Sequence, residues 1–88
     1  MNPFPIEESK VYPAQHHFRI IIHAGSAAAE GLAAVLRDFT VVAPLMPGQA
    51  SRQGRYQTLQ VTVRLDGRDE HLRLDAALRA VEGVRILL

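Results

Sequence analysis

Apolar and polar positions alternate or recur along the chain with two periods, and the switches between them mark out the elements. From His16 to His23 the period is two. Phe18, Ile20 and Ile22 share one side, and His17, Arg19, Ile21 and His23 the other, as in a strand with one buried face. After the break at Gly25-Ser26 the period lengthens. Ala28, Leu32, Val35, Leu36 and Phe39 form a helical stripe, with Glu30, Arg37 and Asp38 off it. Ser26 is the expected N-cap. Gly31, inside the stripe, costs about 1 kcal/mol relative to Ala, and is expected to let the helix sit close to the sheet.

Thr40 to Leu45 is a short β-branched run containing Pro44, which suits an edge strand because proline donates nothing to a ladder. The polar stretch Met46 to Gly54 reads as a long hairpin loop. From Tyr56 to Leu65 strict alternation returns: Leu59, Val61, Val63 and Leu65 against Thr58, Gln60, Thr62 and Arg64. Asp66-Gly67 turns the chain, with Asp66 as the expected N-cap and Asp69 as a weak capping-box partner. A second helix follows on Leu74, Ala77, Leu78 and Val81, with Leu72 on its exposed side. Gly83 suits the helix C-terminus. In the last strand Val84, Ile86 and Leu88 alternate with Arg85 and Leu87.

The order strand–helix–strand–strand–helix–strand in 88 residues points to an α+β ferredoxin-like sandwich, the βαββαβ arrangement. Its antiparallel sheet would run 4-1-3-2 with both helices on one face. Residues 14–88 form that single domain. Residues 1–13, with Pro3, Pro5 and Pro13, read as an irregular arm that Phe4, Ile6, Val11 and Tyr12 anchor. The topology leaves one sheet face open, carrying Arg19, Ile21 and His23, then Tyr56, Thr58, Gln60, Thr62 and Arg64, and Arg85 and Leu87. Ile21 and Leu87 are expected to form a small apolar spot there, suited to a partner.

Composition mostly excludes. No cysteine is present, which removes disulfides, thiolate metal sites and thiol nucleophiles and fits a reducing cytoplasm. The start carries acids and prolines, unlike a signal peptide. No apolar run approaches the ~20 residues of a membrane helix. Net charge is +1, and nine of the ten basic residues are Arg, a balance that argues against a dedicated nucleic-acid binder.

The segment Ser51-Arg52-Gln53-Gly54-Arg55-Tyr56-Gln57-Thr58, running into Leu59, Val61 and Val63, resembles the serine, basic or polar, Gly, Tyr and strand signature of the YbeD-like family of small bacterial proteins, which carry a lipoate-regulation label. The ending Val84-Arg85-Ile86-Leu87-Leu88 and the opening Tyr12-Pro13 with Phe18-Arg19 are similar to that family's. The longer arm and the Ala-rich first helix depart from it. The resemblance implies a ferredoxin-like fold similar to regulatory ACT domains, and no defined activity. Gly31-Leu32 is faintly like the ACT helix start, but the Asp-x-x-Gly turn after strand one is absent.

The candidate binding residues are Ser51, Arg52, Gly54, Arg55 and Tyr56 in the hairpin loop, and Arg19, Ile21, His23 and Leu87 on the open face. Two Arg with a hydroxyl can grip a phosphate or carboxylate through planar donor forks; alternatively, Gly54 only supplies a positive φ. His17 and His23 lie about 20 Å apart at ~3.3 Å per residue, too far to share a metal, so no metal and no cofactor is expected. RNA binding on the open face is weakened by a single aromatic, Tyr56, on strand three. A small enzyme with an Arg/Ser anion site, or with Ser26, His23 and Asp38 as a triad, lacks a strained nucleophile turn. The favoured expectation is a non-catalytic regulatory or interaction module, acting through a protein partner, self-association or a small-molecule ligand.

Overall fold

The computed structural model describes residues 12–88, so the anchors expected at Phe4, Ile6 and Val11 lie outside the described residues. The elements are β1 (Ala14–His23), α1 (Ala28–Leu36), β2 (Thr40–Ala50), β3 (Tyr56–Leu65), α2 (Arg68–Arg79) and β4 (Val84–Leu87). The four strands form one sheet in the order β2-β3-β1-β4, with every neighbouring pair antiparallel. This is the βαββαβ ferredoxin-like sandwich expected from the pattern.

β1 and β3 form the spine of the sheet. They pair without a break from Ala14↔Leu65 to His23↔Tyr56. Their inward residues Phe18, Ile20, Ile22, Leu59, Val61, Val63 and Leu65 are buried against Ala28, Leu32 and Leu36 of α1 and Leu74 and Leu78 of α2. Period two on the strands and the helical stripes thus meet in one core, with no buried polar or charged residue among those described. Leu72 is exposed. No helix among the described residues is long and apolar enough to cross a membrane.

Several local expectations are corrected. β2 does not stop at Leu45; it runs on to Ala50, which shortens the hairpin loop to residues 51–55. Pro44 and Pro47 cannot donate to β3, and the pairing slips three times along the strand, but the backbone stays extended. Gly48 lies against β3: an added Cβ would stand 3.1 Å from Gln60 Nε2. Gln57 Nε2 also donates to the Gly48 carbonyl (3.0 Å).

At the start of α1 the N-cap position is Ala27. The Ser26 hydroxyl donates to the His23 carbonyl (2.6 Å) and accepts weakly from the Ala28 N–H (3.3 Å), so it closes the preceding turn. α2 is capped at Gly67 instead of Asp66. Glu70, one residue beyond the expected Asp69, reaches back to the Asp66 N–H (3.2 Å). Gly31 lets α1 approach Val81, just beyond the end of α2, closely: a Cβ there would stand 2.7 Å from Val81 Cγ1. Gly83 has φ +95°, and its α-hydrogen faces Ser26 and Ala28 at the same junction.

Candidate functional site

The site is built at the end of the open face where the β2–β3 hairpin, the end of β1 and β4 converge. The hairpin is fixed by its own serine. The Ser51 N–H donates to the Tyr56 carbonyl (2.9 Å), the Ser51 carbonyl accepts from the Gly54 N–H (3.0 Å), and the Ser51 hydroxyl accepts from the Tyr56 N–H (3.1 Å). Gly54 supplies φ +72°, a conformation side chains disfavour, with open space around it. The Arg55 carbonyl accepts from the Ala24 N–H (2.9 Å), which ties the loop to the end of β1.

Tyr56 is therefore held firmly, and it faces His23 across the ladder with ring centroids 5.3 Å apart. The Arg85 guanidinium lies 5.8 Å from the Tyr56 ring centroid, within cation–π range. Around this pair runs a groove of about 410 Å³ lined by Ile21, Gln49–Ser51, Tyr56, Thr58, Arg85 and Ile86. A second cleft of about 230 Å³, lined by Ser51, Arg52, Gln53, Arg55 and Tyr56, adjoins it through Ser51 and Tyr56. Among the described residues the ion pairs are Arg64–Asp66 and Arg79–Asp75; Arg52, Arg55 and Arg85 have no carboxylate partner there.

The structure thus brings Ser51, Arg52, Gly54, Arg55, Tyr56, Ile21 and His23 to one end of the sheet. Arg19 is on the open face but farther along β1, opposite Gln60 and outside the groove. Leu87 does not lie on the open face. It pairs with Ile20 and is 7% exposed, inside the core, while Ile86 pairs with Ile21 and is 44% exposed. The cause is a bulge: between Ile22↔Val84 and Ile21↔Ile86 the extra residue Arg85 shifts the alternation of β4. Arg85 and Ile86 both reach the open side, and the apolar spot beside Ile21 belongs to Ile86. Gln49 and Ala50 were hidden because their segment read as loop.

The remaining polar candidates have other partners. The Ser26 hydroxyl is engaged by backbone, so no Ser26–His23–Asp38 relay forms. His17 Nε2 donates to Gln60 Oε1 (3.1 Å) and its Nδ1 accepts from the Thr62 hydroxyl (3.0 Å). Among the described residues no group of three His, Cys, Asp or Glu could hold a metal ion. Tyr56 is the one Phe, Tyr or Trp on the open face among those residues.

On the helix side, His16 and His71 meet with ring centroids 4.3 Å apart, although 55 residues separate them in sequence. The Tyr12 hydroxyl and His71 Nδ1 share a hydrogen bond of 2.8 Å, and Tyr12 stacks on His16. His16 Nε2 is buried without a partner among the described residues. Burial first, and the neighbouring His71 second, hold the His16 pKa below the ordinary imidazole value. Nothing in the strand pattern marks this cluster, because it depends on where α2 crosses the sheet.

The sequence matches, over residues 7–88, the model of a family described as a protein of unknown function, DUF493, the YbeD-like family. The chain belongs to this family. No curated protein matches the sequence. The structure is similar to the solution structure of protein HP0495 from Helicobacter pylori, with TM-score 0.73 and 16% identity over 100% of this chain and 94% of that one. It is also similar to the crystal structure of the ACT domain from GTP pyrophosphokinase of Chlorobium tepidum, with TM-score 0.68 and 16% identity over 84% of this chain and 94% of that one. At such identities the likeness establishes the fold, which this DUF493 member shares with both.

Proposed function

We propose that this DUF493 protein is a non-catalytic regulatory module that acts by binding, and that the groove around Tyr56 and Arg85 is its site. The observation that carries this reading is the placement of a cation over an aromatic ring beside an apolar floor. Arg85 lies over Tyr56, Ile21 and Ile86 form the floor, and Arg52 and Arg55 line the adjoining cleft. Such a surface favours a ligand, or a partner group, with an anionic end and a flat or apolar body. Guanidinium forks hold the carboxylate or phosphate, and ring and aliphatic side chains cover the rest. The likeness to an ACT domain supports a binding module. The engagement of Ser26 by backbone counts against nucleophilic catalysis, and a single stacking ring counts against an RNA platform.

A thermal-shift screen of inorganic phosphate, amino acids, nucleotides and medium-chain carboxylic acids, lipoate among them, tests the proposal. A ligand at about 100 times its Kd adds about 2.7 kcal/mol to stability, and the gain is expected to vanish in Tyr56→Ala and Arg85→Ala. Absence of any shift in the wild-type protein, or an equal shift in both variants, contradicts it.

A further inference from the structure

Away from the groove, the opposite half of the sheet edge carries a separate opportunity. β4 is short. Its Cα partners on β1 are Ile20, Ile21 and Ile22, and the ladder ends with a reciprocal pair: the Arg19 N–H donates to the Leu88 carbonyl (3.1 Å) and the Leu88 N–H to the Arg19 carbonyl (2.8 Å). β1 itself continues back to Ala14, paired on its other side with β3 over its whole length. Backbone donors and acceptors of an antiparallel strand point to the same side every second residue. Hence Gln15 and His17 present their N–H and C=O groups to the β4 side, as Arg19 does. No described residue pairs with them there.

This length of edge is roofed. A cleft of about 210 Å³ lies between it and α2, lined on the sheet by His16, His17 and Phe18, at the end of β4 by Leu87 and Leu88, and on the helix by His71, Asp75 and Arg79. Exposed sheet edges are usually blunted by proline, charge or a bulge. Here the residues are Gln15, His16, His17 and Phe18, none of which blocks pairing. The unmet groups are backbone groups in strand geometry, so their complement is another extended backbone. The register of β4 then fixes the side chains: alternate residues of an added strand stand opposite Phe18 and His16 and enter the cleft, while those between remain on the open face. The position opposite Phe18 suits an apolar side chain. The one opposite His16 suits a hydroxyl or amide, because Asp75 and Arg79 line the cleft on its helix side.

We propose that the Gln15–His17 edge of β1 is a docking site for an extended peptide segment of a partner protein, which adds as a strand in line with β4 and places alternate side chains in the cleft beneath α2. The site is separate from the Tyr56 groove and stands without it.

The test is an amide hydrogen-exchange and NMR titration of the full 88-residue chain with a panel of short proline-free peptides that alternate apolar and hydroxyl residues. The free protein is expected to exchange the His17 amide rapidly. Peptide binding is expected to slow that exchange about tenfold or more and to shift the Gln15, His17 and Leu88 amides. Peptides N-methylated at alternate positions should do neither. His17→Pro removes a donor on the open side only, and Asp75→Trp narrows the cleft from the surface of α2; either should abolish the response while the remaining amide spectrum stays dispersed. A His17 amide already protected in the free chain, no response to any peptide, or an undiminished response in Asp75→Trp overturns the proposal.

Discussion

His16 is the residue whose chemistry is most constrained by its surroundings. Burial and the adjacent His71 lower its pKa from the ordinary value of 6.5. The folded protein therefore holds His16 neutral where the unfolded chain would bind a proton. The associated stability is fully present above pH 6.5 and is lost as pH falls from there toward the folded-state value. Urea midpoints measured on either side of pH 6.5 are expected to drop on the acid side, and His16→Phe is expected to flatten that dependence. A wild-type midpoint that does not fall on the acid side contradicts this. Tyr56 differs. It is positioned by the Ser51 hydroxyl through its own backbone, so Ser51→Ala should loosen the hairpin at a cost of about 1 kcal/mol. Urea denaturation measures that loss.

Among the elements, β4 shows best what the sequence could and could not reveal. Alternation identified β1 and β3 correctly, because their pairing is unbroken from Ala14↔Leu65 to His23↔Tyr56. In β4 the same rule put Leu87 on the open face, because a bulge at Arg85 leaves no trace in a run of Val, Ile and Leu. Mutation separates the two readings. Leu87→Ala is expected to cost about 2–5 kcal/mol as a core truncation. Ile86→Ala should remain under about 1 kcal/mol, as at a half-exposed position. Chemical denaturation of both variants measures the difference. Gly31 was legible as an anomaly in a helix but not in its cause. Propensity alone predicts that Gly31→Ala stabilises by about 1 kcal/mol. The 2.7 Å approach to Val81 Cγ1 reverses the sign, with an expected net loss of about 1–3 kcal/mol as for overpacking. Val81 is β-branched and stiff, and truncating it in Gly31→Ala/Val81→Ala should recover part of the loss.

At the scale of the molecule, element order and hydrophobic period sufficed for the fold, because a βαββαβ chain has few ways to cover one face of an antiparallel sheet. They also placed Ile21, Tyr56 and Arg85 on the open face. Ile86 and Gln49 depended on the bulge and on the unexpected length of β2, both set by tertiary pairing. If this assembled end is a binding groove, an amide NMR titration of the wild-type protein with the same phosphate, amino-acid, nucleotide and carboxylic-acid compounds should show it. At least one compound is expected to shift a contiguous set of resonances comprising Ile21, Ala50, Tyr56, Thr58 and Ile86, with Arg85→Ala losing the response. No shift with any compound, or shifts that cluster away from these residues, would contradict it.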